Sequence, residues 1–277
     1  PASVALMADV SSREERASSV ALVGAAFGIG MVLGPAAAAL LVGFGILVPL
    51  YVIAGLGLLT ALLASFRLPA VAPQVGEDQG QAEAKGLIPL LIGALLVYLA
   101  ISSMQQTLAF HVQDLLGTDM QDTARLTGFC FMAIAIATLA MQGGVIQVLK
   151  PSPRVLLLVG LPIGFFGFLV YASATSYLGV LFAASLIGIG FGLVNPGLSA
   201  AASLRTGVDA QGRTAGLMQA MMSAGYVFGP ITATTLYEID RQYAVLLALT
   251  AVGLAIVIVG GWLLTLRVPT ATAGEAL

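Results

Sequence analysis

Gly30-Met31-Val32-Leu33-Gly34-Pro35 and Gly225-Tyr226-Val227-Phe228-Gly229-Pro230 carry the same Gly-x-x-x-Gly-Pro pattern, each inside a long apolar segment. The copies stand 195 residues apart (229 − 34 = 195). A repeat of that period between apolar segments is the mark of a membrane protein built as two similar halves around a central pathway. Glycines at i and i+4 leave a groove on a helix that lets a neighbour approach closely. Pro35 and Pro230 each remove a backbone hydrogen bond and can bend their helices. The bland alternative, that any polytopic protein carries such small-residue contacts, loses ground because the proline recurs at the matched place in both copies.

Composition points the same way. The 277 residues are 59% hydrophobic and 9% charged, whereas a soluble domain is about a quarter charged. Windows of about 20 apolar residues, the length that crosses a bilayer, fall at roughly 16–42, 45–66, 87–111, 124–148, 154–173, 177–204, 212–237 and 242–266. Residues 2–8 read as the end of a further helix. The chain opens at Pro1, and one repeat period before Gly86 is position −109 (86 − 195 = −109). The expectation is that on the order of 110 residues precede this chain, making a twelve-helix parent. The fold class expected is therefore an all-α polytopic membrane protein with eight complete spans and a helix stub. Its organisation is expected as residues 1–67, the remainder of an N-terminal half; 68–86, a linker; and 87–277, a six-helix C-terminal half. Pro69, Pro73, Gly76 and Gly80, with Glu77, Asp78, Glu83 and Lys85, mark that linker as helix-breaking and hydrated.

Following the alternation of loops, Arg13, Arg16, Arg67, Lys85, Lys150, Arg154, Arg205, Arg213 and Arg267 fall on one side and only Arg125 and Arg241 on the other. Nine against two is a strong positive-inside bias, so the first side, with the C-terminus, is expected to be cytoplasmic. Outer loops are expected to be short, as at Gly43-Phe44-Gly45, with a short surface helix or turn over 111–125. A formal net charge of −2 and the lack of a basic run argue against nucleic-acid binding. A single cysteine, Cys130, excludes an internal disulfide and a cysteine-based metal site. One histidine, one cysteine and no acid deep inside a complete span leave no cluster from which to build an enzyme.

Other residues extend the pattern. Asp9-Val10-Ser11-Ser12-Arg13-Glu14-Glu15-Arg16, followed by Gly30, Gly34 and Pro35, resembles the fourth helix end, cytoplasmic loop and fifth helix of major facilitator superfamily transporters. Within that family the likeness is to the drug:proton antiporters, which include tetracycline-efflux and multidrug-efflux proteins. Gly192-Leu193-Val194-Asn195-Pro196-Gly197 and Gln211-Gly212-Arg213 through Gly229-Pro230 resemble its tenth and eleventh helices. The family's antiporter motif has glycines where this chain has Ala21 and Ala38-Ala39, all of them small. The resemblance implies a major facilitator fold lacking roughly its first three and a half helices. It also implies export of small amphipathic compounds by alternating access, with a proton gradient as energy source, no cofactor, a small-molecule substrate, a lipid bilayer as surroundings and a monomer when full length. Metabolite uptake by a symporter and a non-transporting remnant are the alternatives.

Candidate cavity residues follow from spacing and from the implied seventh and tenth helices. Tyr98, Ser102, Gln105 and Gln106 stand at i, i+4, i+7 and i+8, one polar stripe on an apolar helix, and should face protein or water. Asn195-Pro196 puts an amide beside a helix break; Asn195 either serves a ligand or satisfies the carbonyl that Pro196 frees. Met218, Gln219, Met222 and Tyr226, with Phe110, Phe129 and Met132, offer soft, adaptable contacts or ordinary interhelical packing. By resemblance Asp9, Arg13 and Arg16 either latch an inner gate or set topology. His111 is expected to be solvated at the outer end of its span, beside Gln113 and Asp114. The span over 245–264 is almost uniformly aliphatic and suits a lipid-facing place. Any coupling carboxylate is expected in the preceding helices, so the 277 residues alone are expected to drive no proton-coupled efflux.

The charge bias fixes a test of the topology. Cysteines introduced at Gln79 and Gln121 should react with impermeant reagents from opposite faces of the membrane, and labelling of both from one face would contradict the segmentation.

Overall fold

The computed structural model describes residues 30, 33–34, 37–67, 86–206 and 210–265. All regular structure among them is helical. A helical stretch at 37–41 runs into a 3-10 turn, Val42–Phe44, after which Gly45 takes a positive φ of 143°. Seven long helices follow: α1 (Val48–Arg67), α2 (Ile88–Leu116), α3 (Met120–Leu149), α4 (Pro153–Ser173), α5 (Tyr177–Ser203), α6 (Gln211–Ile239) and α7 (Arg241–Thr265). Five- or six-residue π-helical segments interrupt α3 (Ala140–Val145) and α7 (Ile256–Gly260) without ending them.

Helices α1 to α5 and α7 are each long and apolar enough to cross a membrane. The chain is an integral, multi-pass membrane protein. Helix α6 has the length, 29 residues or about 43 Å at 1.5 Å per residue, but its glycines, threonines and glutamines dilute its apolar character. Such a helix is tolerated where protein, not lipid, meets its polar face. Of the eight expected spans, the seven from 45 onward are helices, and 16–42 lies mostly outside the described residues. The rest of the surface is rich in exposed large apolar side chains, among them Leu59, Phe66, Val148, Leu178 and Ile231. That is the face a bilayer requires.

The turns between helices are set by caps. The Asp119 side chain accepts from Asp122 N at 2.8 Å, Ser152 from Val155 N at 3.4 Å, Ser176 from Gly179 N at 3.3 Å and Asp240 from Gln242 N at 2.8 Å. Each satisfies an N–H that the first helical turn leaves without an intrahelical partner. Gly117, at φ 63°, closes α2 in the left-handed conformation that favours glycine. Of the short surface helix or turn expected over 111–125, the structure has a turn, and a shorter one: α2 runs to Leu116, α3 starts at Met120, and only 117–119 lie between. One end of the bundle carries Lys150, Arg154, Arg205 and Arg213, and the other carries Asp114, Asp119, Asp122, Glu238 and Asp240 with Arg125 and Arg241. At the basic end the Arg205 guanidinium lies 4.4 Å above the Trp262 ring, tying α5 to α7.

Glycines set the helix contacts. A Cβ on Gly190 of α5 would stand 2.6 Å from Gly164 Cα of α4, and one on Gly160 2.8 Å from Leu193 Cβ. On the opposite side of α5, a Cβ on Gly188 would meet the Ile134 carbonyl of α3 at 2.6 Å, where Thr138 donates to the Gly188 carbonyl at 3.0 Å. Helix α7 closes on α2 where a Cβ on Gly93 would strike Val259 at 2.5 Å. Its Ala244, Ala248, Ala251 and Ala255 are buried while Leu246, Leu254, Val257 and Leu264 are exposed, so α7 packs on the bundle along one side and keeps an outer apolar face suited to lipid. The 37–44 segment touches α3 through Ala39, which occupies the space above Gly128, and through Gln121 Nε2, which donates to the Val42 carbonyl at 3.1 Å.

Candidate functional site

The second Gly-x-x-x-Gly-Pro copy lies against α2. A Cβ on Gly225 would fall 2.8 Å from both Leu99 N and Tyr98 Cβ and 2.9 Å from the Leu95 carbonyl; one on Gly229 would fall 2.7 Å from the Leu99 carbonyl and collide with Ser102 Oγ. The polar stripe of α2 thus meets bare backbone. Ser102 Oγ donates to the Gly225 carbonyl at 2.9 Å, and Ser103 Oγ to the Gly229 carbonyl at 3.2 Å. This contact lies among the helices that follow residue 86. Pro230 and Pro196 both sit inside continuous helices, so neither breaks its helix. Gly30 and Gly34 are helical, and Gly34 borders an apolar groove of about 710 Å³ with Ala37, Leu50, Ala109, Gly128 and Phe131. Pro35, Asp9, Arg13 and Arg16 lie outside the described residues.

Holding α6 against α2 brings three aromatic rings together. Tyr98 of α2 is buried, and its ring meets Phe191 of α5 and Tyr226 of α6 edge to face, each with centroids 5.3 Å apart. Both distances and the near-perpendicular planes are those that the ring quadrupoles favour. The Tyr98 hydroxyl donates to Asn195 Oδ1 at 2.9 Å. Asn195 thereby takes a role that neither alternative in the sequence anticipated: its side chain satisfies a tyrosine, while its own carbonyl accepts from Ser199 Oγ at 3.1 Å. Tyr226 stays 44% exposed, so the cluster has a buried root and an open rim.

Towards the basic end, a cleft of about 480 Å³ opens between α5 and α6, bordered by Ser199, Ser203, Gln211, Met218, Gln219 and Met222. Met218 and Met222 are buried, Gln219 is exposed, and Gln219 Nε2 donates to Ser223 Oγ at 3.4 Å. Two polarisable thioethers thus stand beside amide and hydroxyl groups, a combination chemically able to adapt to apolar surfaces of different shape. The stripe does not act as a unit. Tyr98 and Ser102 are buried in interhelical contacts, Gln105 is half-buried, and Gln106 is exposed. Phe110 pairs instead with Tyr237, centroids 5.7 Å apart, and Phe129 lies under Arg125 at 5.8 Å.

Two contributors escaped the sequence reading. Phe191 stands four residues before Asn195, hence on the same helical face, and that spacing was the available signal. Ser103 was masked by its neighbour Ser102, although both donate to α6. His111, expected in water, is fully enclosed. The five-residue extension of α2 to Leu116 carries it about 7.5 Å further from the helix end than expected.

Comparison with known proteins follows this geometry. A family model described as Major Facilitator Superfamily matches residues 1–230. The chain is similar to Multidrug resistance protein 2 of Bacillus subtilis (strain 168), 24% identical over 264 residues, covering 90% of this chain and 65% of the relative. It is also similar to Multidrug resistance protein 1 of the same organism, 24% identical over 276 residues, covering 95% of this chain and 69% of the relative. The chain therefore spans about two thirds of the length of these relatives.

The Tyr98–Asn195 bond is open to a double-mutant cycle. Tyr98→Phe and Asn195→Ala should each lower unfolding stability in detergent by about 1 kcal/mol, and the double variant should fall no further than the worse single one. Strictly additive losses would mean that the two side chains do not stabilise each other.

Proposed function

The chain belongs to the Major Facilitator Superfamily, and from that premise we propose that it is part of a secondary active transporter that expels small amphipathic compounds. The observation that carries the substrate class is the aromatic cluster of Tyr98, Phe191 and Tyr226, with the cleft walled by Met218 and Met222 beside it. Aromatic rings and thioethers bind flat apolar bodies without demanding one shape, and Gln219, Ser199 and Asn195 supply polar handles at the edge. The drug-resistance names of the two relatives support export over uptake.

In this reading residues 1–67 and 87–277 belong to two halves joined by a linker over 68–86, and substrate meets alternating faces of the membrane as the halves rock. Helices α2 and α6, locked by Gly225 and Gly229, move as one body. The Gly30, Gly34 and Pro35 copy plays the same part in the first half, with Asp9, Arg13 and Arg16 at the cytoplasmic mouth. The free energy comes from protons moving down their gradient. All five described carboxylates, Asp114, Asp119, Asp122, Glu238 and Asp240, are exposed at one end of the bundle, and none of them is a membrane-buried acid of the kind that usually couples proton movement to transport.

Accumulation of a fluorescent amphipathic cation in cells making the full-length protein, of which these 277 residues are expected to be one part, is the direct test. Dye should be expelled, expulsion should stop when a protonophore collapses the gradient, and Tyr226→Ala should raise the half-saturating dye concentration about 2- to 10-fold, the worth of one aromatic contact. Equal accumulation with and without the protein would refute export, and expulsion that survives the protonophore would refute proton coupling.

A further inference from the structure

Thr107, His111 and Asp114 follow one face of α2 at i, i+4 and i+7 towards the turn at Gly117. The His111 ring is fully enclosed and stacks on Tyr171 of α4, with centroids 4.5 Å apart and planes inclined by 27°. Among the described residues neither Nδ1 nor Nε2 has a hydrogen-bond partner, and the buried Tyr171 hydroxyl makes no bond of normal geometry. The Thr107 hydroxyl donates to the Ser103 carbonyl at 2.9 Å, and its oxygen is the acceptor on offer to the Tyr171 hydroxyl. The titratable and charged groups facing this pair from the packed elements are Asp114 of α2, Cys130 of α3, Tyr237 of α6 and Arg241 of α7. One turn further out, Tyr237 donates to the Asp114 carboxylate at 2.5 Å. Glu238 and Asp240 stand exposed on the rim.

A leucine or phenylalanine would fill this space without leaving polar atoms unpaired, and native interiors rarely tolerate such orphans without a use for them. Imidazole is the side chain whose ordinary charge change falls between pH 5 and 8, and it is the one enclosed where the described carboxylates are all exposed. We propose that His111 is a proton-binding site whose occupancy is linked to separation of the helix ends around it. The neutral ring is compatible with the closed packing against Tyr171. A charged ring enclosed there, with Arg241 nearby and no hydrogen-bond partner, is strongly disfavoured. Protonation is therefore favoured when the ends of α4 and α7 part from α2, admitting water and releasing Asp114 from Tyr237 to pair with the imidazolium. A proton that binds the open form better shifts the population towards it, so the open form gains as pH falls and the closed form as pH rises. The inference deepens the proton-driven reading above and rests on it for the purpose that the proton serves.

His111 is the only histidine in the chain, so histidine labelled with nitrogen-15 reports a single imidazole. The protein in lipid nanodiscs, without substrate or gradient, is titrated from about pH 8 to about pH 5. In parallel, distances are measured between spin labels on cysteines introduced at Gln113 and Thr175, and at Gln113 and Gln242. The ring should pass from neutral to doubly protonated within that window, and both distances should lengthen with the same midpoint. His111→Gln should abolish the pH dependence of the distances, and Asp114→Asn should move the ring and distance midpoints together to lower pH. A ring that stays neutral, a ring that titrates while the distances hold still, or opening that keeps its pH dependence in His111→Gln would overturn the proposal. Should His111→Gln fail to insert, Asp114→Asn decides alone, and unmoved midpoints count against the site. Dye expulsion that persists with a non-titrating His111 would leave export standing and remove this inference, whereas a coupled titration in a protein that expels no dye would do the reverse.

Discussion

Backbone-to-backbone approach at glycine is the constraint from which the bundle follows. In lipid, apolar side chains gain nothing by leaving the surroundings for a neighbouring helix, so association depends on close packing and interhelical hydrogen bonds. The chain supplies both at the same positions. Gly190 meets Gly164, Gly188 meets Ile134, and Gly225 and Gly229 meet the main chain of Leu95 and Leu99. Where the backbones come that near, the hydroxyls of Ser102, Ser103 and Thr138 reach carbonyls across the interface. The hydroxyls gain partners that lipid cannot offer.

The aromatic cluster depends on that approach. Tyr98 is one residue from Leu99, so the contact that seats Gly225 on the Leu99 amide also sets the height of Tyr98 against Tyr226. Asn195 fixes the hydroxyl from the α5 side, and the close α4–α5 and α3–α5 contacts fix α5 itself. Around that contact Tyr226 and Gln219 are exposed, whereas Tyr98 and Met222 are buried.

Most of the architecture was legible because the bilayer imposes one length on every span, and apolar runs of about 20 residues betray it. Helix ends were less legible. His111 was placed in water because the apolar run stops there, but the amphipathic residues Gln113 and Asp114 continue the helix to the Gly117 cap. The second Gly-x-x-x-Gly-Pro copy was visible as a packing surface, yet its partner was not, since pattern says that a groove exists and not which helix fills it. Gly160, Gly164, Gly188 and Gly190, which make the closest α4–α5 and α3–α5 contacts, carry no adjacent proline and belong to no repeat that would single them out. Asn195 was read through its neighbour Pro196, whereas its partner, Tyr98, is 97 residues away, a distance over which sequence spacing says nothing.

The central claim is that α6 needs glycine where its backbone meets α2, and two glycines of α6 test it against each other. A Cβ at Gly225 would meet main-chain and Cβ atoms that cannot turn aside, whereas at Gly216 it would meet no atom within 4 Å among the described residues. The measurement is the unfolding midpoint of Gly225→Ala and Gly216→Ala side by side in the same detergent. The account predicts a lowered midpoint for Gly225→Ala, by about 1–3 kcal/mol of stability, and an unchanged or raised one for Gly216→Ala, since alanine is the better helix former by about 1 kcal/mol. Equal midpoints, or a Gly225→Ala protein more stable than the parent, would contradict it.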